Sequence, residues 1–132
     1  MKKHISILLI VAVALTIVTF SCKKKSEPAT PKKTYAELIV GRWKTSAEQP
    51  YFEVYYANGT GKMWDTADDV QEDEADTFTW TIDSDNKLMQ NITFQSGAGT
   101  IVQYCNIITL NETTFKYNND GWRAEYTLTR VN

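Results

Sequence analysis

The residues Gly41-Arg42-Trp43 decide the fold that this sequence predicts, together with Arg130 near the end of the chain. The Gly-x-Trp opens a first strand after a short helical turn, and the last strand places an arginine on its otherwise apolar face. Stacking of a guanidinium on an indole is a favourable contact. We therefore predict a sheet that curls until its first and last strands meet, with Arg130 within about 6 Å of the ring of Trp43.

Between these two ends the sequence alternates in a way that is typical of β-strands. The clearest strand covers residues 77–83, where Phe78, Trp80 and Ile82 share one face and threonines share the other. Turn sequences such as Asn58-Gly59 separate the runs at short intervals. The pattern predicts an all-β fold, an eight-stranded antiparallel up-and-down barrel, because no helix is available for parallel crossovers. A two-sheet sandwich is the alternative. A capping box at Thr34 and Glu37 adds a short N-terminal helical turn.

The alternation also predicts which side chains fill the barrel. We place Glu53 and Glu125 on the outer face as solvated charges. The predicted inward set is mostly aromatic and comprises Trp43, Phe52, Val54, Tyr56, Phe78, Trp80, Ile82, Leu88, Ile92, Phe94, Phe115, Tyr117, Tyr126 and Leu128. These side chains should fill most of the barrel and leave a shallow pocket at one mouth. The candidate residues for this ligand mouth are Tyr56, Trp80, Tyr117 and Tyr126.

The N-terminus predicts export and lipid attachment. Residues 1–4 are positively charged, and the apolar run at 5–20 is shorter than the about 20 residues of a membrane-spanning helix. Ser21-Cys22 follows directly and resembles the lipobox of bacterial lipoproteins, in which the cysteine is acylated. We predict a signal peptide at 1–21, a lipid-anchored flexible tether at 22–33 and a barrel domain at 34–132. The anchor would be Cys22, with palmitate as the expected acyl group.

Lipidation would leave no intramolecular disulfide, because Cys105 is the only other cysteine. The β-branched surroundings of Cys105 predict that its thiol is buried. The only histidine, His4, lies in the predicted signal peptide, so the mature chain has no imidazole. That excludes Ser-His-Asp and Cys-His catalysis and the usual histidine-rich zinc sites. We predict a protein that is not an enzyme and that uses no cofactor.

Three stretches together resemble the lipocalin and calycin plan. They are Leu38-Ile39-Val40-Gly41-Arg42-Trp43-Lys44, Asn58-Gly59-Thr60-Gly61 with Trp64-Asp65, and Phe78-Thr79-Trp80-Thr81-Ile82. More closely, the chain is similar to the small lipocalin-like lipoproteins of Bacteroides-type bacteria, over about residues 34–132. The resemblance implies a barrel whose closure rests on Gly41, Trp43 and Arg130, and it carries no specific activity. The chain is shorter than large lipocalins and lacks their disulfides and long C-terminal helix.

One long connection, residues 65–76, contains seven carboxylates in twelve positions. Asp65, Asp68 and Asp69 are weak candidates for a calcium site, although the spacing does not match an EF-hand. We favour a solvated loop with a helical turn over 70–75 capped by Asp68 or Asp69, and we predict at most weak calcium binding. Asp65-Thr66-Ala67 also resembles an acceptor for O-glycosylation at Thr66.

Charge and anchoring leave two hypotheses for function. Residues 34–132 carry seven basic and fifteen acidic residues, a formal balance of −8, so nucleic-acid binding is not expected. The first hypothesis is a lipid-anchored binding or interaction module with a solid barrel, which contacts an envelope protein. The second is a carrier or sensor of a small hydrophobic ligand held in the barrel mouth. In both, we expect a monomer anchored at the outer membrane, on its periplasmic face or at the cell surface.

Overall fold

Eight antiparallel strands follow one another around a closed barrel in the order in which they occur in the chain. The structure, a computed structural model, describes residues 31–121 and 123–132. The predicted signal peptide, Cys22 and most of the predicted tether lie outside the described residues. The predicted up-and-down barrel is confirmed, and the sandwich is wrong. The elements are α1 (Tyr35–Ile39), β1 (Gly41–Lys44), β2 (Tyr51–Tyr55), β3 (Thr60–Asp65), β4 (Asp76–Ile82), β5 (Lys87–Phe94), β6 (Gly99–Leu110), β7 (Thr114–Asn119) and β8 (Glu125–Val131).

The barrel closes through the pairing of β1 with β8, in which Trp43 lies opposite Arg130. The Cζ atom of Arg130 lies 4.2 Å from the centroid of the Trp43 ring, within the distance predicted from the sequence. The guanidinium also donates hydrogen bonds to three backbone carbonyls, those of Glu112 (2.7 Å), Val40 (2.8 Å) and Leu38 (2.5 Å). Arg130 thus ties the last strand to the chain segment that leads into β1.

Helix α1 covers the end of the barrel at which β1 begins. The capping box is present: the Thr34 N–H donates to Glu37 Oε2 (2.7 Å), and the Glu37 N–H donates to Thr34 Oγ1 (3.3 Å). The Trp43 indole N–H donates to the carbonyl of Ile39 (2.7 Å), and neither residue is exposed to solvent. Gly41 has φ +139°, and a Cβ atom there would overlap the Arg130 guanidinium. A glycine is therefore required at the first position of β1. Of the helices in the described ranges, none has the length and apolar character that crossing a membrane would need.

The predicted face of β2 is wrong. Phe52 and Val54 point out of the barrel, where they join a small second core with Trp64, Ala75 and Val70. The rings of Phe52 and Trp64 stack at 4.8 Å between centroids. Sequence alternation could not show this, because β2 carries apolar side chains on both faces and the outer face is covered by residues from a later loop.

The connection between β3 and β4 forms this cover. It contains two single turns of 3₁₀ helix, Thr66–Asp68 and Glu72–Glu74, and the second lies within the predicted helical turn over 70–75. Asp65 caps the first turn by accepting the Ala67 N–H (2.9 Å). The N-cap of the second turn is Gln71, so the predicted capping by Asp68 or Asp69 is wrong.

An arginine on the outer face of the barrel holds this connection in place. Arg42 Nη2 donates to Glu72 Oε2 (2.5 Å), and the Arg42 guanidinium lies 5.4 Å from the centroid of Trp64. The chain between Asp65 and Asp76 is thus attached to β1. The loop is a packed part of the structure, with apolar residues beneath it and carboxylates on its surface.

Candidate functional site

A carboxylate lies inside the barrel. The prediction that Glu53 is a solvated charge is wrong: its side chain is fully buried. Its Oε2 accepts the Tyr55 hydroxyl (2.6 Å), and its Oε1 accepts the Tyr117 hydroxyl. Burial raises the pKa of the Glu53 carboxyl above its ordinary value, while the hydrogen bonds from the tyrosines act in the opposite direction. Glu125, in contrast, lies on the outer face as predicted and pairs there with Lys116 (2.8 Å).

Two glutamines connect this carboxylate to the other side of the barrel. Gln90 Nε2 donates to the Tyr55 hydroxyl (2.9 Å), and Gln103 Nε2 donates to Gln90 Oε1 (3.2 Å) and to Cys105 Sγ (3.3 Å). Gln90 and Cys105 are completely buried, and burial raises the pKa of the Cys105 thiol to about 12. Cys105 is buried as predicted, but in a polar setting.

An open pocket lies in the barrel mouth opposite α1, where β3, β5 and β7 end. Its volume is about 320 Å³, and it is lined by side chains that point into the barrel. We call it the mouth pocket; it is lined by Met63, Ile92, Phe94, Ile101, Gln103, Asn119 and Tyr126. Gln103 belongs both to this wall and to the buried network, so the pocket is directly connected to the polar interior.

The half of the barrel nearer the helix is filled with rings. Trp43 and Phe115 meet edge to face at 5.6 Å between centroids, and Tyr55 packs similarly against Phe78 (5.1 Å) and Trp80 (5.7 Å). The interior therefore has three levels: an aromatic core below the helix, the polar network, and the open mouth pocket.

The four residues predicted for the ligand mouth are not brought together. Tyr126 lines the mouth pocket, and Tyr117 lies beneath it with the two rings stacked at 5.2 Å. Trp80 belongs to the aromatic core, where its indole N–H donates to the Thr60 carbonyl (3.0 Å). Tyr56 is wrongly placed by the prediction: it lies on the outer surface and is 39% exposed, because the faces of β2 are reversed. The sequence does contain a signal for the polar interior: Tyr51, Glu53 and Tyr55 stand at alternate positions of β2 and therefore share one face of the strand.

The weak calcium candidates lie in and beside a second, acidic depression. It measures about 330 Å³, and its wall includes the carboxylates of Asp65, Asp68, Glu74 and Asp76. Asp69 ends the first 3₁₀ turn with φ 59°. Two of the lining carboxylates already accept backbone N–H groups, Asp65 from Ala67 and Asp76 from Gln95 (2.8 Å). Within residues 31–121 and 123–132, no group of three or more possible ligands is arranged to hold a metal ion.

The tyrosines around Glu53 predict unfolding in alkali. Burial, followed by the negative charge of Glu53, raises the pKa of Tyr51, Tyr55 and Tyr117 well above the ordinary 10.0. Above about pH 10 the unfolded chain loses these protons while the folded chain keeps them, so the free energy of unfolding falls as pH rises. We expect tyrosinate absorbance from these residues to appear together with the loss of β-sheet circular dichroism. Tyr117→Phe should remove one proton from that transition, and full tyrosine ionisation in a folded chain would contradict the expectation.

The closed eight-stranded up-and-down barrel is consistent with a lipocalin-like fold. One end is covered by a helix, and the other holds a pocket of small-molecule size above a polar interior. Comparison with known proteins finds no matching family model, no similar curated protein and no similar solved structure. Arguments about function therefore rest on the geometry of the site itself.

Proposed function

We propose that this protein is a lipid-anchored, non-catalytic binding module of the cell envelope of Bacteroides-type bacteria, and that it holds one small, mostly apolar molecule in the mouth pocket. The observation that supports the proposal is the open pocket of about 320 Å³ inside a barrel whose other half is filled. The interior is thus only partly solid, and this favours the hypothesis of a ligand-binding barrel over a purely solid one.

The pocket has the composition of a small-molecule site. Such sites are concave, mainly apolar and at least about 300 Å³ in volume, with a few polar groups that orient the ligand. Met63, Ile92 and Phe94 supply apolar surface, while Gln103 and Tyr126 supply polar atoms. The walls are paired strands of a closed barrel, so a ligand would meet a preformed surface and little binding energy would be spent on ordering the chain.

The chemistry of the interior favours binding over catalysis. Both oxygens of Glu53 accept tyrosine hydroxyls and its side chain is fully buried, so the carboxylate is not placed to exchange protons with a ligand in the mouth. The Cys105 thiol is buried, and a pKa of about 12 keeps it protonated at neutral pH. A neutral, buried thiol is a poor nucleophile.

The membrane anchor rests on the sequence at Ser21-Cys22. Acylation of Cys22 would hold the barrel at the outer membrane. A module held at the membrane would meet apolar molecules where they partition, which suits a mouth with apolar walls.

The test is to fill the mouth and measure binding. Ile101 faces the pocket at its rim and is 40% exposed, so Ile101→Trp should occupy the mouth with little disturbance of the core. We expect an environment-sensitive apolar dye to bind the full chain and to bind Ile101→Trp at least about tenfold more weakly, as a loss of about 1.4 kcal/mol would produce. The matched control is Val102→Trp, because the next residue of β6 faces outwards and is 52% exposed.

Equal binding by wild type and Ile101→Trp would contradict the proposal. Native mass spectrometry of the protein from its own host provides a second readout, in which a bound small molecule should be present in the wild type and absent from Ile101→Trp.

A second candidate function is favoured by one surface. The outer face of β6 exposes Val102 (52%), Tyr104 (52%) and Ile108 (46%), an apolar row that could contact an envelope protein. Loss of a co-purifying protein in Val102→Trp, with retention in Ile101→Trp, would favour this interaction role over ligand binding.

A further inference from the structure

The polar interior is a directed chain of hydrogen bonds that begins at Glu53 and ends in the wall of the mouth pocket. Tyr55 donates its hydroxyl proton to Glu53 Oε2 (2.6 Å), Gln90 Nε2 donates to the Tyr55 oxygen (2.9 Å), and Gln103 Nε2 donates to Gln90 Oε1 (3.2 Å). Gln103 lines the pocket, whereas the other three members have at most 1% of their surface exposed.

The direction of the chain follows from the carboxylate at its inner end. Each Glu53 oxygen accepts a tyrosine hydroxyl, Oε2 from Tyr55 and Oε1 from Tyr117. Once Tyr55 has donated its proton, its oxygen can only accept from Gln90. The carbonyl of Gln90 must then face Gln103. The amide of Gln90 is therefore oriented by Tyr55, and the amide of Gln103 is oriented by Gln90.

The result is that Gln103 has only an acceptor left. Its amide nitrogen has two protons, and they serve Gln90 Oε1 (3.2 Å) and Cys105 Sγ (3.3 Å). Within the part of the chain that the structure describes, Gln103 Oε1 has no hydrogen-bond partner. Tyr126, also in the wall, has a hydroxyl that can donate or accept, so it does not discriminate between ligand donors and acceptors.

We propose that the mouth pocket selects mostly apolar molecules that carry an N–H or O–H donor, and that Gln103 Oε1 is the specificity-determining acceptor for that donor. This inference rests on the proposed function, because it names the ligand class of the same pocket. Met63, Ile92 and Phe94 receive the apolar body. A ligand without a donor would strip water from the Gln103 carbonyl and leave it unpaired, a loss that strongly reduces affinity.

The experiment compares ligands that differ only in the donor. Naphthol and methoxynaphthalene are titrated into the full chain at one fixed detergent concentration, so that partitioning into detergent is the same for every variant. Indole and benzofuran form a second matched pair. We expect the wild type to bind each donor about 10- to 100-fold more tightly than its partner, the range expected when one buried acceptor is left unpaired.

Variants assign the selectivity to one atom. Gln103→Met keeps the length of the side chain and removes the acceptor, so the ratio of the two affinities should fall towards one. Tyr126→Phe removes the tyrosine hydroxyl from the wall, leaves Gln103 in place and should keep the ratio. Loss of the ratio in Tyr126→Phe together with its retention in Gln103→Met would overturn the assignment.

Failure of this inference differs from failure of the proposed function. If the wild type binds both members of each pair equally, and Ile101→Trp abolishes that binding, the pocket binds ligands but does not select donors. If neither member binds the wild type, and the apolar dye does not bind either, both proposals are wrong. If Gln103→Met does not fold, the wild-type ratios and Tyr126→Phe still decide the outcome.

Discussion

Replacing Glu53 by alanine should lower the free energy of unfolding by about 3–5 kcal/mol, from lost packing and from buried hydroxyls left without an acceptor. The side chain is completely buried, and the hydroxyls of Tyr55 and Tyr117 both donate to it. Water enters a closed barrel less readily than it reaches a surface site. The tyrosine hydroxyls would therefore stay without an acceptor after the carboxylate is deleted. Chemical denaturation of the full chain, followed by tyrosine fluorescence and circular dichroism, measures the loss.

The matched control is Glu53→Gln, which keeps the shape and one acceptor. Burial raises the pKa of Glu53 in the folded chain above the ordinary 4.5, so the folded state holds this proton more tightly than the unfolded state. The contribution of Glu53 to stability is then full below about pH 4.5 and falls as pH rises through the folded pKa. We expect the cost of Glu53→Gln to be largest in acid and to shrink towards neutral pH. Equal losses for Ala and Gln at every pH would contradict a buried, hydrogen-bonded carboxylate.

Replacing Trp43 by alanine should cost about 3–5 kcal/mol, the range for deleting a large buried aromatic side chain. Trp43 is unexposed, packs against Phe115 and carries the guanidinium of Arg130 on its ring. Its indole N–H also binds the Ile39 carbonyl and so attaches the helix. Trp43→Phe should cost less, because a ring remains, but it loses that hydrogen bond.

The location of the damage distinguishes this role from general core packing. Hydrogen exchange should show that Trp43→Ala exposes the amides of β1 and β8, the two strands that close the barrel. The control is Trp64→Ala, which removes the same side chain from the small outer core and should affect mainly the connection between β3 and β4. If both variants released the same amides, Trp43 would not be the residue that closes the barrel.

The strand pattern and the closure could be predicted from the sequence because their signals are local or chemically specific. Residues 77–83 alternate cleanly, and turn residues such as Asn58-Gly59 interrupt the strands. An arginine on the apolar face of the last strand has few partners that can accept it, and an indole on the first strand is one of them. In the structure, the guanidinium of Arg130 does lie on the ring of Trp43. Its three hydrogen bonds go to backbone carbonyls, and no sequence pattern specifies such partners.

The face of β2 was decided by tertiary structure. By hydrophobicity alone, the face with Phe52 and Val54 is the better candidate for the interior than the face with Glu53, which it shares with Tyr51 and Tyr55. The opposite face is buried because Tyr117, from β7, supplies a hydroxyl to the carboxylate and because residues of the later loop cover Phe52 and Val54. Both partners are distant in the chain, and a one-residue change in register exchanges every side chain between core and surface.

The sequence by itself determined that this chain forms a closed antiparallel barrel with a helical turn before it, since strand period, turn residues and capping are encoded within a few residues of one another. Only the tertiary structure decided which mouth is open and what lines it. Gln103 on β6, Gln90 on β5 and Glu53 on β2 become one network through strand pairing around the barrel. A buried carboxylate is tolerated only where such distant donors converge, and that convergence is a property of the closed barrel and not of any single strand.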